Sequence, residues 1–474
     1  MDSRVRDVSG CITTYKKGCP MIESLHHLPP AAGTHGALSE RFSDLAPALT
    51  ARQAAIESDR CLYCYDAPCT RACPTGIDVA SFIRNIHDGN VTGAAVTILK
   101  QNIFGGACAR VCPTEILCED ACVRNDDAEG QPVKIGLLQR HAIDNAHFAS
   151  HPFQRAPSTG RTVAVVGAGP AGLSCAHRLA MLGHDVVVFE AHEKAGGLNE
   201  YGIAKYKLPG DFAQREVEFL LSIGGIDVQY GRTLGVNLRL EDLHARYDAV
   251  FLGLGLGASR RLGLTGEDAP GFAAAIDYIA TLRQAGDLAA LPVPQRAIVI
   301  GAGNTAVDMA VQIGRLGADE VTLVYRRGYE AMSATGHEIE IAQTNGVRIR
   351  TWAAPHEVLL DDADRVRGMR FERTQLTDGR LAGTGEYLEI AADAVFKAIG
   401  QHMDEAALLD PLARELERSG DKIHVDAQFR TKLPGVYAGG DCVAPGQDLT
   451  VQAVQHGKLA ALAIHNDILS KAEA

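Results

Sequence analysis

Apolar residues along this chain come in two textures, and the change falls near residue 160. Before it, the pattern is helical between loops. Val79–Ile86 reads as a helix with Phe82 and Ile86 on one face, Gly93–Lys100 as a second and Ile135–Phe148 as a third. Residues 1–40 are polar, with Pro29, Pro30 and a Gly/His patch at Gly33–Gly36, and read as a loosely ordered leader. A Pro/Ser/Thr/Gly stretch, Pro157–Gly160, closes the helical part.

Beyond Arg161 short apolar runs alternate with helical periods, the pattern of an α/β fold. Val163–Val166 reads as a buried strand that enters a glycine loop and a helix, followed by a second strand, Asp185–Phe189. The block recurs as Ala297–Ile300, a glycine loop, a helix and Val321–Tyr325. Each block has the scale of a dinucleotide-binding unit. The segment after Gly400 reads as a return to the first unit, so the second is inserted in it. The expected fold is α/β, with two Rossmann-like domains behind an all-α domain. The boundaries are 1–40 (leader), 41–155 (α-helical), 156–288 with 401–474 (first dinucleotide domain) and 289–400 (second).

The first glycine loop is Gly167-Ala168-Gly169-Pro170-Ala171-Gly172. It joins a strand to a helix, and its glycines permit a tight turn, close approach to a pyrophosphate and close helix–strand packing. Glu190 ends the next strand, where a carboxylate can accept hydrogen bonds from ribose hydroxyls; an ordinary solvated strand end is the plainer alternative. A second loop, Gly196-Gly197-Leu198, points to FAD rather than a nicotinamide. Near the C-terminus, Val436–Asp441 resembles the second flavin motif of two-dinucleotide flavoproteins, with Gly440 in the turn and Asp441 set for the ribityl chain. Thr450 opens a last helix, expected over Val451–Leu469, whose N-terminus suits the flavin's N1/O2 edge. The second fingerprint is Gly301-Ala302-Gly303-Asn304-Thr305-Ala306. Its following strand runs into Arg326 and Arg327 rather than an acidic residue, which favours the 2′-phosphate of NADPH over the ribose diol of NADH.

The chain has 12 cysteines among 474 residues. Eight form two groups: Cys61, Cys64, Cys69 and Cys73 at C-x2-C-x4-C-x3-C before Pro74, and Cys108, Cys112, Cys118 and Cys122 at C-x3-C-x5-C-x3-C. Structural zinc prefers two separated C-x2-C knuckles, and only Cys61/Cys64 has that spacing. Disulfide frameworks belong to short secreted chains. The density is too high for core filling. Iron–sulfur ligation remains, and in the related bacterial run the cysteine before proline serves a second cluster. Eight thiols could fill two four-iron clusters, although spacing does not prove that all eight are ligands. Cys11, Cys19, Cys175 and Cys442 stand alone and read as buried or incidental thiols. No C-x-x-C lies downstream of Cys64, which argues against a dithiol reductase.

A net charge of −12 disfavours nucleic acid and anionic membranes. No apolar run approaches the ~18 residues needed to span a bilayer. Met1–Asp7 leads into no apolar signal segment, so the cytoplasm is expected.

With these residues in view, the chain resembles the flavoprotein half of dihydropyrimidine dehydrogenase, in particular the separate flavin/NAD(P) subunit of the bacterial two-subunit enzyme. The resemblance rests on Arg60–Cys69, Val111–Thr114, Ile135–Gln139 and Lys207-Leu208-Pro209, and covers roughly residues 40 to 474. The small subunit of bacterial glutamate synthase and NADPH:ferredoxin oxidoreductases share the architecture. They differ in having, respectively, a shorter gap after the cysteine that precedes proline and a glutamate at the place of Gln139.

The resemblance implies one four-iron cluster on Cys61, Cys64, Cys69 and Cys122, and another on Cys73, Cys112, Cys118 and Gln139. Cys108 is left out. Lys207, Leu234 and Gly400 join the cofactor-binding set. It further implies that NAD(P)H is oxidised through FAD and that the clusters pass electrons to an FMN/iron–sulfur partner. In that partner a TIM barrel like that of dihydroorotate dehydrogenase reduces uracil or thymine. The single-chain enzyme continues into that barrel, whereas this chain stops at Ala474. Ser333 stands near a further arginine of the family, which keeps NADH open. The rival expectations are a glutamate synthase small subunit and, more remotely, a non-enzymatic scaffold.

Overall fold

The computed structural model describes residues 23–128 and 130–473, and forms two compact units. Cys11 and Cys19 lie outside the described residues. Among the described residues, one unit comprises 44–200, 207–258 and 402–473, and the other comprises 23–43, 201–206 and 259–401.

The larger unit opens with the cysteine-bearing helices. Asp78 starts the helix Val79–His87 by accepting a hydrogen bond from Ser81 N at 3.0 Å. Val79, Phe82, Ile83 and Ile86 then fall on one buried face at helical spacing. They pack with Ala94 and Ile98 of the helix Val91–Gln101 and with Leu138 of the helix Ile135–Asn145. The third helix ends three residues before the expected Phe148, because Ala146 is extended and Phe148 turns to pack on Phe219 with ring centroids 6.0 Å apart.

The same unit contains a five-stranded parallel sheet in the order Val436–Ala438, Ala249–Leu252, Thr162–Val166, Asp185–Glu190, Ile226–Tyr230. The central strand is buried, as its unbroken apolar run requires. The helices Pro170–Met181 and Thr450–Glu473 pack against each other beside it, and Gly457 permits their contact: a Cβ there would stand 2.0 Å from Ala171 O. The chain's last segment thus returns to the first sheet.

The second unit repeats the arrangement. Its sheet runs Phe272–Ala274, Ala394–Ala398, Arg296–Gly301, Glu320–Val324, Arg348–Arg350, all parallel. Residues 259–288, expected in the first dinucleotide domain, sit in this unit because Phe272–Ala274 hydrogen-bonds to Ala394–Ala398. An antiparallel ribbon, Ala353–Leu360, Val366–Thr377 and Arg380–Ala391, is an addition that the apolar pattern did not announce. The expectation of a loose leader fails over residues 23–40. Leu25, Ala31 and Leu38 are buried, Ala31 N bonds to Leu291 O at 2.9 Å, and Val293 N bonds to Pro29 O at 2.8 Å.

Phe82 is fully buried at the centre of the helical core. Phe82→Ala is expected to lower unfolding stability by about 3–5 kcal/mol, read from the urea midpoint.

Candidate functional site

Cys61 follows the helix Ala51–Asp59, with its N–H bonded to Ser58 O at 3.1 Å. The loop to Cys69 is tightly wound: Tyr63 and Ala67 take positive φ of 50° and 35°, and Pro68 then begins a short helix. These turns, with Cys122 arriving from the far loop, arrange Cys61, Cys64, Cys69 and Cys122 around one cavity. It is a cavity of about 30 Å³ walled by Val79, Ile83, Val133 and Ile135. Among the described residues no three such ligand side chains close on a single point, as one metal ion would need; the thiols stand around a void. Burial raises the Cys61 thiol, and burial followed by the charge of Cys61 pushes Cys69 up to about 11. A cationic iron–sulfur core within the ring would reverse that penalty, so the donor set fits a cluster.

The second group lies nearby. Cys112 feels the Cys108 thiol first, through a side-chain hydrogen bond, then burial and the charges of Cys118 and Cys73; all of them raise it. Cys118 is raised by burial and by Glu119, Cys73 and Cys69. Gln139 is buried, and its Nε2 donates to Gly105 O at 2.7 Å. That bond commits the amide nitrogen and leaves Oε1 as the donor available to iron. Cys108 differs from the other seven: it is buried in the core, whereas they are half-buried. Glu216, from the helix Phe212–Leu221, holds the Cys108 helix. Its Oε1 accepts from Gly106 N at 2.8 Å and Ala107 N at 3.0 Å, and its buried Oε2 has no hydrogen-bond partner among the described residues.

The flavin loops form a close-packed cradle. A Cβ on Gly172 would stand 1.9 Å from Gly167 O, and Gly197, at φ +55°, comes so near Gly169 that a Cβ would meet its Cα at 2.7 Å. Ala168, Pro170 and Ala171 complete the turn into the helix. Glu190 sits below it. Oε2 accepts from Ala168 N at 2.7 Å, and Oε1 lies 2.8 Å from both His192 N and the His192 ring. The carboxylate therefore orders the glycine loop and keeps lone pairs for further donors. Asp441 is pushed up to about 6 by burial first and then by Asp448, with Lys422 opposing; its carboxylate accepts no hydrogen bond from the described residues. Thr450 Oγ1 donates to Asn199 Oδ1 at 3.1 Å, and the buried Asn199 Nδ2 is left without a partner among the described residues. An unfilled acceptor and an unfilled donor on two sides of a glycine cradle fit a polar ligand such as FAD. Lys207 and Leu234 are buried in this unit, Leu234 within the apolar core.

Sequence reading missed Asn199 and His456. Asn199 directly follows Gly197-Leu198, a usable signal. His456 receives the Gly440 N–H on Nδ1 at 3.2 Å, and burial lowers it to about 4, so it stays neutral and holds the Asp441 turn. Cys175 and Cys442 are buried thiols; Cys442 Sγ donates to Gly439 O at 3.3 Å.

In the other unit, Gly301 ends its strand and Gly303 caps the helix Asn304–Leu316, with Thr305 in its first turn. The buried Asn304 Oδ1 lacks a hydrogen-bond partner among the described residues. Arg326 and Arg327 are exposed just beyond the strand Glu320–Val324, and neither guanidinium pairs with a described residue. Ser333 Oγ donates to Ala302 O at 3.4 Å. Gly400, at φ +98°, accepts from Arg260 N at 3.1 Å.

Known proteins resemble the chain in both parts. The model of the pyridine nucleotide-disulphide oxidoreductase family matches residues 161–457. That of dihydropyrimidine dehydrogenase domain II, 4Fe-4S cluster, matches residues 38–150. The NAD-dependent dihydropyrimidine dehydrogenase subunit PreT of Escherichia coli (strain K12) is 36% identical over 428 residues, 90% of this chain and 97% of that protein. The glutamate synthase (NADPH) small chain of Escherichia coli (strain K12) is 34% identical over 445 residues, 90% of this chain and 93% of that one. Among solved structures, Mycobacterium tuberculosis FprA in complex with NADPH superposes with TM-score 0.55 at 20% identity, over 67% of this chain and 86% of that chain. Thioredoxin reductase of T. acidophilum gives TM-score 0.50 at 20% identity, over 65% and 99%. These two likenesses concern the fold alone.

Glu216 generates a pH prediction. Burial pushes its carboxyl up to about 7, against the Ala107 and Gly106 N–H groups and Arg110. The folded protein then keeps a proton that the unfolded chain releases, so this contribution is complete below about pH 4.5 and is lost as pH rises through 7. Relative to Glu216→Gln, the wild-type protein is expected to lose up to about 3 kcal/mol of stability between pH 5 and 8, measured by urea denaturation.

Proposed function

The chain belongs to the pyridine nucleotide-disulphide oxidoreductase family, and from that membership we propose that it is the electron-input subunit of a dihydropyrimidine dehydrogenase. It is a flavin-dependent oxidoreductase with an iron–sulfur domain. The observation that carries the finer reading is the ring of Cys61, Cys64, Cys69 and Cys122 around a void, in the same compact unit as the flavin cradle. A bound FAD would supply hydride acceptance from NAD(P)H, and two four-iron clusters would supply onward transfer of single electrons. The chain's own residues bind and orient. The glycine loops admit the pyrophosphate, Asp441 accepts from the ribityl chain, and Thr450 with Asn199 fixes the second loop against the last helix. Cys73, Cys112, Cys118 and Gln139 hold the second cluster. A neutral amide makes that site one charge less negative than four thiolates, which raises its potential.

The electrons leave for an FMN/iron–sulfur partner with a TIM barrel, which reduces uracil or thymine reversibly to the 5,6-dihydro form. The assembly is a hetero-oligomer in the reducing cytoplasm; among the described residues no helix is long and apolar enough to cross a membrane. Residues 41–155 form the cluster domain, 156–258 with 402–473 carry the flavin and 259–401 the nicotinamide. Identity to PreT and to the glutamate synthase small chain is nearly equal, so the choice between them rests on the five-residue gap from Cys112 to Cys118. Co-purification with the partner, then NADPH- and NADH-dependent assays with uracil and with glutamine plus 2-oxoglutarate, separates the two. Oxidation of neither nucleotide by protein with FAD and iron intact would sink both.

Two further outcomes are expected. Cys122→Ala and Gln139→Ala should each lose iron and sulfide on analysis, while Cys108→Ala keeps them. Unpaired Arg326 and Arg327 supply charge for a 2′-phosphate, so changing both to alanine should raise KM for NADPH tenfold or more, about 1.4 kcal/mol, and leave KM for NADH nearly unchanged.

A further inference from the structure

The helix Thr450–Glu473 starts at the flavin cradle and carries a lysine about 12 Å along its axis. Lys458 is buried. Its ammonium donates to Thr75 O at 2.7 Å, Gln101 O at 3.1 Å and Gln101 Oε1 at 3.0 Å. Three neutral acceptors satisfy its three N–H groups, and it forms no ion pair among the described residues. A buried ammonium without a counter-charge is costly, and lysine is rarely buried unpaired.

The carbonyl it grips points to the missing anion. Thr75 follows Cys73 by two residues, and Thr75 Oγ1 lies 3.3 Å from Cys73 Sγ. Burial first, and then the charge of Arg178, bring the Lys458 ammonium down to about 8, while the charge of Cys73 opposes them. A simpler role accounts for part of this. Arg178 Nη2 donates to Lys100 O at 2.9 Å, so both cations cap the carbonyl end of the helix Val91–Gln101. That role explains Gln101 but not Thr75, which lies outside that helix.

We propose that Lys458 is the counter-charge of the cluster that Cys73 helps to hold, and that it pins the Cys73–Thr75 loop to the helix that opens at the flavin. The inference rests on the assignment of Cys73 to a cluster. A cluster gains a negative charge on reduction, so a fixed ammonium beside it stabilises the reduced form and raises its potential. Lys458 is thus a positioning residue for electron transfer.

The test is an anaerobic potentiometric titration of full-length protein carrying FAD and iron, followed by EPR. Lys458→Met is expected to shift one cluster tenfold or more toward its oxidised form at a given poise, about 59 mV for one electron. The other cluster, the flavin and the iron content should stay as they are, and Lys458→Arg should keep the wild-type potential. Unchanged cluster potentials in Lys458→Met with iron intact overturn the proposal, whether or not stability falls. If that variant does not fold, Lys458→Gln is read by the same criterion. A wild-type protein with iron in only one cluster overturns the Cys73 assignment itself, and the proposal with it.

Discussion

Thiolates cannot stand together in an apolar wall without a positive core between them. This is the constraint on which the helical domain depends. Val79, Ile83, Val133 and Ile135 wall the void between Cys61, Cys64, Cys69 and Cys122, and the same four side chains belong to the domain's small core. Core and cavity wall share these residues. A cluster held there would complete the core, so its binding would be coupled to folding. The tightly wound loop at Tyr63 and Ala67 is the local strain that brings three thiols to one side.

The two dinucleotide folds are built alike. Each places its glycine-loop strand third in a five-stranded parallel sheet, with the next strand beside it. What differs is the charge at the end of that next strand. Glu190 is buried and turned back onto the first loop by hydrogen bonds to Ala168 and His192. Arg326 and Arg327 are exposed, and neither guanidinium has a partner among the described residues. One scaffold thus ends its second strand in a buried acceptor in one domain and in exposed cations in the other.

Much of this was legible in the chain. Unbroken runs such as Val163–Val166 and Ala297–Ile300 can only be buried parallel strands when glycine loops follow them. Other features were not. Residues 259–288 went to the wrong unit because a three-residue strand, Phe272–Ala274, is too short to leave a periodic signal. The antiparallel ribbon at 353–391 is mostly solvated on one face and mixes charge with apolar residues, so it reads as loop. The buried leader segment escaped notice because its core contacts are single residues, Leu25, Ala31 and Leu38, set among polar ones.

Cysteine spacing and glycine fingerprints by themselves determined the cofactor chemistry, because ligand type and backbone freedom are properties of residues. Which residues share a site is a property of the folded chain. Cys122 lies 53 positions beyond Cys69 yet opens onto the same void. Lys458 meets Thr75 across 383 positions. Asn199 meets Thr450 across 251. No local pattern encodes such pairs, since loop closure over hundreds of residues is decided by the packing of the elements between them.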